Sequence, residues 1–585
     1  MADIIRDSSL GQLIRLLTRN KFLLYAEERP DFVFPAPITE HEQQHPKEKV
    51  EGDSDSDAAS TSESISTSES SSDADLEKVE TTVTRGLRPY FSRTSQAEAV
   101  GPEKTVSKAI QPTLTSDGTI LVDWYATDDA DNPMNWSTGK RTFIAVQILL
   151  YTFAVYIGSS IYAPSIGGVM ENFGVGETAA SLGLALYVFG YGIGPMVFSP
   201  LSEMPLVGRN PLYIATFAIF VILTLPGALT PTFGGLIAVR FLLGVFGSPS
   251  LATGPATLQD MFPLLKVPYL LSLWAAAATL GPALGPVVGG FSVQAMNWRW
   301  AQWEMLWLSA PIFLLMFISL PETSAANILL RRAQRLRKLQ SNTNLKSQSE
   351  IDQANMSLSE VTYNALLIPW QINALDPAVA FSTFYTALLY MIYYSFFESF
   401  PLVYVTMYNF NLGESSLPFL SILVALGIFL PLYLLHFYLT VEKPFTTKGF
   451  GAPERRLIPA LYGTYLIPAG LFIFAFTSRE SIHWIVPTIG AGLSVGGTYV
   501  VFQSIFLYLP FTYPQYSASL FAANDFARST LAAAAILFSR PMFLKLGVDG
   551  GVGLLAGLTV ICIAGIYILF WYGDKLRARS RFAAK

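Results

Sequence analysis

Charge is what this sequence has least of. Only 14% of its 585 residues are Asp, Glu, Lys or Arg, while 51% are hydrophobic, against roughly 25% charged in an ordinary soluble domain. Too little polar surface remains to wet a globule of this size, so the solvent for much of the chain is lipid. Cysteine is nearly absent: the single Cys562 excludes a disulfide framework and any cysteine-built metal site. Histidine is scarce, and His41, His45, His436 and His483 stand at no metal-ligand spacing. No G-x-x-x-x-G-K-[ST] phosphate loop is present, which argues against direct ATP drive. Paired catalytic carboxylates and nucleophile motifs are also missing, so an enzyme is the weakest reading. Neither a cofactor, a metal nor a nucleic-acid partner is expected. The chain opens without the charged, apolar and small-residue regions of a cleavable signal peptide, and its first apolar span is expected to serve as an uncleaved insertion signal.

What is present divides into unlike parts. Residues 1–140 hold no apolar run of membrane length and are expected to form a cytoplasmic, largely disordered tail. From Glu51 to Asp75 the tail is almost wholly Ser, Thr, Asp, Glu and Ala, a composition that buries too little apolar surface to offset ordering entropy. Ser54, Ser62 and Ser68, each followed by an acid, suit acid-directed phosphorylation, and a solvated spacer suits the same composition. Near the start, Leu10, Leu13, Ile14, Leu16 and Leu17 recur at helical spacing beside Arg6, Arg15 and Arg19. That segment reads equally as a helix on the membrane surface or one docked on the protein.

From Thr142 onward about twelve apolar runs follow one another, near 142–164, 179–200, 209–228, 232–257, 267–291, 299–320, 376–400, 416–439, 457–477, 481–508, 517–540 and 549–571. Each approaches the roughly 20 residues that cross a 30 Å hydrocarbon core, and backbone groups in lipid must be satisfied within the segment, so the runs are helices. The 41 Phe, 27 Tyr and 10 Trp fit the same setting. The expected architecture is all-α: a six-helix bundle over 141–320, a cytoplasmic loop over 321–375, a second bundle over 376–572 and a basic tail over 573–585. Positive charge collects on one side, at Lys140, Arg141, Arg209, Lys266, Arg331, Arg332, Arg335, Arg337, Lys338, Arg455, Arg456 and the C-terminal Lys575 and Arg577. Loops of short reach carry such excess on the cytoplasmic side, which places both termini and the central loop there.

The most informative stretch lies in the fifth run: Gly281-Pro282-Ala283-Leu284-Gly285-Pro286-Val287-Val288-Gly289-Gly290. Glycines four apart let helices approach closely, and prolines permit bending; a tightly packed, kinked helix is the bland reading. The full pattern matches the G-x-x-x-G-P-x-x-G-G element of antiporters in the major facilitator superfamily. Leu236 to Gly244, centred on Arg240, resembles that superfamily's L-x-x-x-R-x-x-x-G element. Ser199 to Arg209 resembles its gating loop in the P-L-S-E-x-x-x-x-G-R form of fungal drug:proton antiporters, with more residues between acid and glycine and no base after Glu203. Asp131-Asn132-Pro133-Met134-Asn135-Trp136 before the first run, Asn297-Trp298-Arg299-Trp300 and Leu320-Pro321-Glu322-Thr323 fit the same group. The resemblance covers about residues 120–580, and Arg6-Asp7-Ser8 with Glu27-Glu28 is similar to the tail of fungal azole and benomyl resistance transporters.

This resemblance implies the major-facilitator fold, a plasma-membrane location and proton-coupled export of lipophilic or cationic compounds by a monomer in the bilayer. It implies a part in proton transfer for Arg240, whose burial in a membrane helix would otherwise cost on the order of 3 kcal/mol, and a gate at Glu203, Gly208 and Arg209. Coupling candidates among the intramembrane acids are Glu398, near the outer end of the seventh helix, Asp525 with Arg528 three residues on, and Glu304. Glu398 is the favoured proton carrier, whereas Asp525 and Arg528 are as readily a self-neutralising pair. Tyr390, Tyr394 and Phe397, with Tyr393 and Phe396 beside them, are candidates to line an apolar cavity between the halves. Competing readings are a specific exporter of polyamines or organic acids, and a non-transporting receptor on the same fold.

Overall fold

The computed structural model describes residues 2–35, 37–39, 107–115, 117–340, 342, 344–353, 367, 370–449, 451–513 and 517–582. Its spanning helices are α1 (Thr138–Ser160), α2 (Glu177–Glu203), α3 (Asn210–Leu229), α4 (Phe233–Gly247 continued by Pro249–Met261), α5 (Val267–Ala295) and α6 (Trp300–Ser319). The second set is α7 (Pro377–Phe400), α8 (Leu420–Phe437), α9 (Ile458–Thr477), α10 (Ile485–Thr512) and the two arms of Ser517–Arg579. At about 1.5 Å per residue a straight helix of that last length would far exceed a bilayer. Gly547 breaks it, with φ 76° and ψ 160°, a conformation open mainly to glycine, giving α11 (517–546) and α12 (548–579). Both arms reach several residues past the apolar runs, because helix continues wherever water or protein satisfies its ends. The break in α4 falls at Ser248-Pro249, where proline lacks the N–H that an unbroken helix needs.

Within the first set α1 lies along α5, α2 along α4, and α3 against both α4 and α6; in the second α9 lies along α10 and α8 against α10. The sets meet where α2 runs beside α11 and α5 beside α8. The loops before α1, α3, α5 and α7 and after α12 share one face of the molecule, the basic face; the α1–α2 and α7–α8 connections lie on the opposite face.

On the basic face the tail is folded over most of its described length. Strands β1 (Ile38–Thr39), β2 (Thr113–Leu114), β3 (Ile120–Val122) and β4 (Leu345–Ser347) form one sheet in that order, so the tail and the central loop share a sheet. Val122, Ala333, Leu336 and Leu345 form a small apolar core beneath it. Five ion pairs complete the assembly: Arg332 with Asp129 (2.7 Å) and Asp131 (2.9 Å), Arg6 with Asp131 (2.8 Å), Arg335 with Glu27 (2.5 Å) and Arg15 with Glu28 (2.6 Å). Burial alone pushes the Asp131 carboxyl up, but Arg6 and Arg332 outweigh it and hold it below its ordinary range. The expectation of a largely disordered tail therefore does not describe residues 2–35, 107–115 and 117–136, whose partners sit two hundred or more positions away in several cases. Glu51–Asp75 and its serines lie outside the described residues.

Candidate transport site

The glycine–proline stretch of α5 acts first as a contact surface. A Cβ on Gly281 would stand 2.7 Å from the Tyr156 Cβ, one on Gly285 would overlap the Ser160 hydroxyl, and one on Gly289 would stand 2.5 Å from the Ile161 carbonyl. These glycines let the α1 backbone lie directly on α5. Gly290 faces Ser416 ahead of α8, so the end of the stretch touches the other half. Pro286 is buried in the same seam, and Pro282 turns toward the cleft between the halves.

Arg240 is 0% exposed. Its Nε donates to the Gly183 carbonyl (2.9 Å), Nη1 to Gly158 (2.8 Å) and Nη2 to Ser159 (3.0 Å), and its guanidinium lies 4.5 Å from the Tyr187 ring centre and 4.8 Å from that of Tyr162. No carboxylate of the described residues is within ion-pair distance. The side chain staples α4 to the outer ends of α1 and α2, with carbonyls and rings in place of a counter-ion.

Between the halves the polar groups form a chain. Ser159, whose carbonyl holds Arg240, meets the Tyr394 hydroxyl through its own hydroxyl (3.0 Å). Tyr394 meets Tyr191 (2.8 Å), and Tyr191 meets Tyr390 (2.6 Å). Arg528 donates to the Tyr156 hydroxyl (3.2 Å) and is ion-paired to Asp525, one turn earlier on α11; its guanidinium lies 5.0 Å from the Tyr390 ring centre. A cleft opens here, lined by Tyr156, Trp274, Tyr390, Tyr499, Phe502 and Arg528 among others. Tyr393 also lines it. Tyr394 is committed to the hydroxyl chain, and Phe397 stacks on Phe419 (5.2 Å), so neither is among the cleft-lining residues. A cation beside aromatic faces in a cleft is a setting for amphipathic guests with aromatic or charged groups.

Glu398 is 3% exposed and accepts from the Ser181 hydroxyl of α2 at 3.4 Å. Nearby on the same outer end, Arg540 of α11 pairs with Glu177 of α2 (2.7 Å). Glu398 thus lies against the seam between the halves, away from the cleft-lining residues. On the basic face Lys266 pairs with Glu442 (2.5 Å), and the Tyr269 hydroxyl also donates to Glu442. Among the described residues each face therefore carries one ion pair across the halves. Glu304 accepts from Ser292 (2.9 Å) within the first half.

At the expected gate Arg209 lays its guanidinium on Asp260 at the end of α4 (2.5 Å), and Glu203 stands exposed. Glu322 takes the remaining position. Its carboxylate accepts from the backbone of Arg209 (3.0 Å) and Asn210 (3.2 Å), capping the positive end of α3. Gly208 has φ 76°, and a Cβ there would meet Glu322 at 2.5 Å. Glu203 and Arg209 interact electrostatically, but no Glu203–Arg209 ion pair is among the described contacts; Asp260 and Glu322 hold the arginine's side chain and backbone. Asp260 gave no signal in the loop pattern because it lies fifty-one positions on. Tyr156, Tyr191, Trp274, Tyr499 and Phe502 were equally hidden, since an aromatic on an apolar helix reads as packing.

Two groups of apolar helices with an aromatic cleft between them define a multi-pass membrane protein. The chain belongs to the Major Facilitator Superfamily, whose family model matches residues 148–537. It is similar to Fluconazole resistance protein 1 of Saccharomyces cerevisiae, 37% identical over 494 residues that cover 82% of this chain and 89% of that one. The Cycloheximide resistance protein of Candida maltosa is 35% identical over 593 residues, covering 100% of both. MFS-type transporter pyvG of Aspergillus violaceofuscus is 46% identical over 474 residues, 81% of this chain and 87% of that protein. Among solved structures, the proton:xylose symporter XylE bound to 6-bromo-6-deoxy-D-glucose superposes with a TM-score of 0.53 at 13% identity, covering 74% of this chain and 97% of the other. That likeness is one of fold. The superfamily is one of transporters and not a class of enzymes.

Proposed function

We propose that the protein exports lipophilic and cationic compounds across the plasma membrane in exchange for protons, acting as a monomer. The observation that carries this reading is the aromatic cleft at the seam of the halves, into which Arg528 projects while paired to the buried Asp525. A proton on Asp525 would free Arg528 to repel a cationic guest, and loss of that proton would restore the pair, so proton and guest would be bound at each other's expense. Glu398, at the outer seam beside the Glu177–Arg540 pair, is the second candidate to carry a proton between faces. Rocking of a bundle over 141–320 against one over 376–572 would break the Lys266–Glu442 and Glu177–Arg540 pairs in turn. The names of the fluconazole and cycloheximide resistance relatives support drug-like cargo.

The test is uptake of a fluorescent lipophilic cation or an azole into inside-out vesicles, with and without an imposed proton gradient. Gradient-driven uptake that is lost in Asp525→Asn at equal protein level supports exchange. Uptake indifferent to the gradient over a broad panel of compounds rejects it.

A further inference from the structure

The helix Ser9–Leu17 is built inside out for a helix docked on a protein. An amphipathic helix normally turns its apolar stripe to the core and its charges to water. Here Arg15 is 4% exposed, donating to the Leu23 carbonyl (2.5 Å) and Glu28 (2.6 Å), and the inward face is completed by Ser8 and Gly11. Leu13, Leu16 and Leu17 form the outward face, the last two 75% and 74% exposed, and Phe22 beyond the turn is exposed beside them. The arrangement is fixed by specific contacts. Ser8 caps the helix through Gly11 N and bridges to Pro321, and Ser9 donates to Asn210 (2.5 Å).

Those contacts set its height. Asn210 begins α3 and Pro321 follows α6, so the helix lies where both emerge from the bilayer on the basic face, and it packs against both. The lipid-facing surface of α6, with Leu314 and Ile318 exposed, runs up to the same level. Arg19 and Lys21 are exposed at the far end of the helix. An apolar face continuous with the lipid belt and edged by cations has one fitting occupant, an anionic membrane surface.

We propose that Ser9–Leu17 and Phe22 form an interfacial anchor, leucines and phenylalanine in the acyl boundary of the basic-face leaflet and Arg19 and Lys21 at its headgroups. Through the ion pairs of Arg6, Arg15 and Arg335 the anchor fixes the tail–loop assembly against the membrane beside the first half.

Spin labels test this on the full chain in nanodiscs, with Cys562→Ala as the background. Labels are placed by Leu17→Cys and Phe22→Cys, with Leu314→Cys as the lipid reference and Lys338→Cys as the aqueous one. Collision with oxygen, which concentrates in lipid, is compared with collision with a water-soluble nickel chelate. The expected result is oxygen accessibility several-fold above that of the chelate at 17 and 22, matching 314. Phosphatidylserine should deepen that signature over phosphatidylcholine alone, and Arg19→Gln with Lys21→Gln should cancel the increase. Labels that behave like 338 overturn the anchor. Labels shielded from both probes also overturn it, since a second copy or another protein would then cover the face. No response to phosphatidylserine overturns the role given to the two cations.

Discussion

Two arginines buried among the spanning helices, Arg240 and Arg528, are held in opposite ways. Arg240 is gripped by three carbonyls and two aromatic rings with no acid at hand, whereas Arg528 has a carboxylate, a phenol and an open cleft. Carbonyls do not titrate, so none of the three acceptors of Arg240 changes with the proton supply. Around Arg528 one proton on Asp525 changes the local charge by a full unit. A buried charge is thus a staple or a switch according to whether its partner can gain or lose a proton.

The largest effect that would test this contrast is on folding. Arg240→Ala strands three carbonyls, and with roughly 1.5–3 kcal/mol for each hydrogen bond to a charged donor the loss should reach several kcal/mol. Thermal unfolding in detergent should show a steep fall in midpoint, and Arg240→Lys should recover only part of it, since one ammonium cannot replace the fork. If Arg240→Lys keeps its stability yet loses gradient-driven uptake, the contrast fails and Arg240 belongs with coupling.

The Arg528 side is sharpened by a double-mutant cycle. Asp525→Asn leaves an arginine without its counter-ion, a change worth about 3–5 kcal/mol when such a pair is wholly buried, less here because the cleft is open. Asp525→Asn with Arg528→Gln should recover stability relative to the single Asp525 variant while uptake stays abolished. Additive losses would show that the two side chains do not act as a pair.

Close approach sets the next effect. Gly285→Val places a side chain on the Ser160 hydroxyl, and overpacking of this kind costs about 1–3 kcal/mol. It should slow transport with little change in apparent affinity for the guest. The half-exposed outer pair is weaker: Glu177→Gln should cost at most about 1 kcal/mol, and is expected to alter the pH profile of uptake more than its maximum.

The smallest effect concerns the tail. Arg6 and Arg332 hold Asp131 below its ordinary range, so its contribution to docking is present above the usual carboxylate range and is lost as pH falls through the lowered folded value. Limited proteolysis should release the tail only in strong acid, and Asp131→Asn should release it at neutral pH.

Parts of this were legible beforehand for a physical reason. A membrane imposes length and apolarity on each crossing, so α1 to α12 stood out, and even the break at Gly547 falls between the eleventh and twelfth runs. The seam of Gly281, Gly285 and Gly289 was legible because small residues at helical spacing are a local pattern. Partner choice was not legible. Arg209 takes Asp260 and not Glu203, and Arg332 takes Asp129 and Asp131, because charge pairing depends on distance in space and not on position in the chain. The cleft wall was half visible: Tyr390 was found by its clustering, while Phe397, two turns on in the same cluster, stacks on Phe419.

The sequence by itself determined that this chain crosses a membrane many times, which face bears the positive charge and which superfamily it resembles, since all three follow from composition and local spacing. Only the tertiary structure decided which buried charges have titratable partners, that the tail folds against the central loop, and that a helix at the N-terminus turns its leucines outward. Those depend on which segments meet, and lipid, which rewards every apolar helix alike, leaves that choice to close packing and to the pairing of a few polar groups.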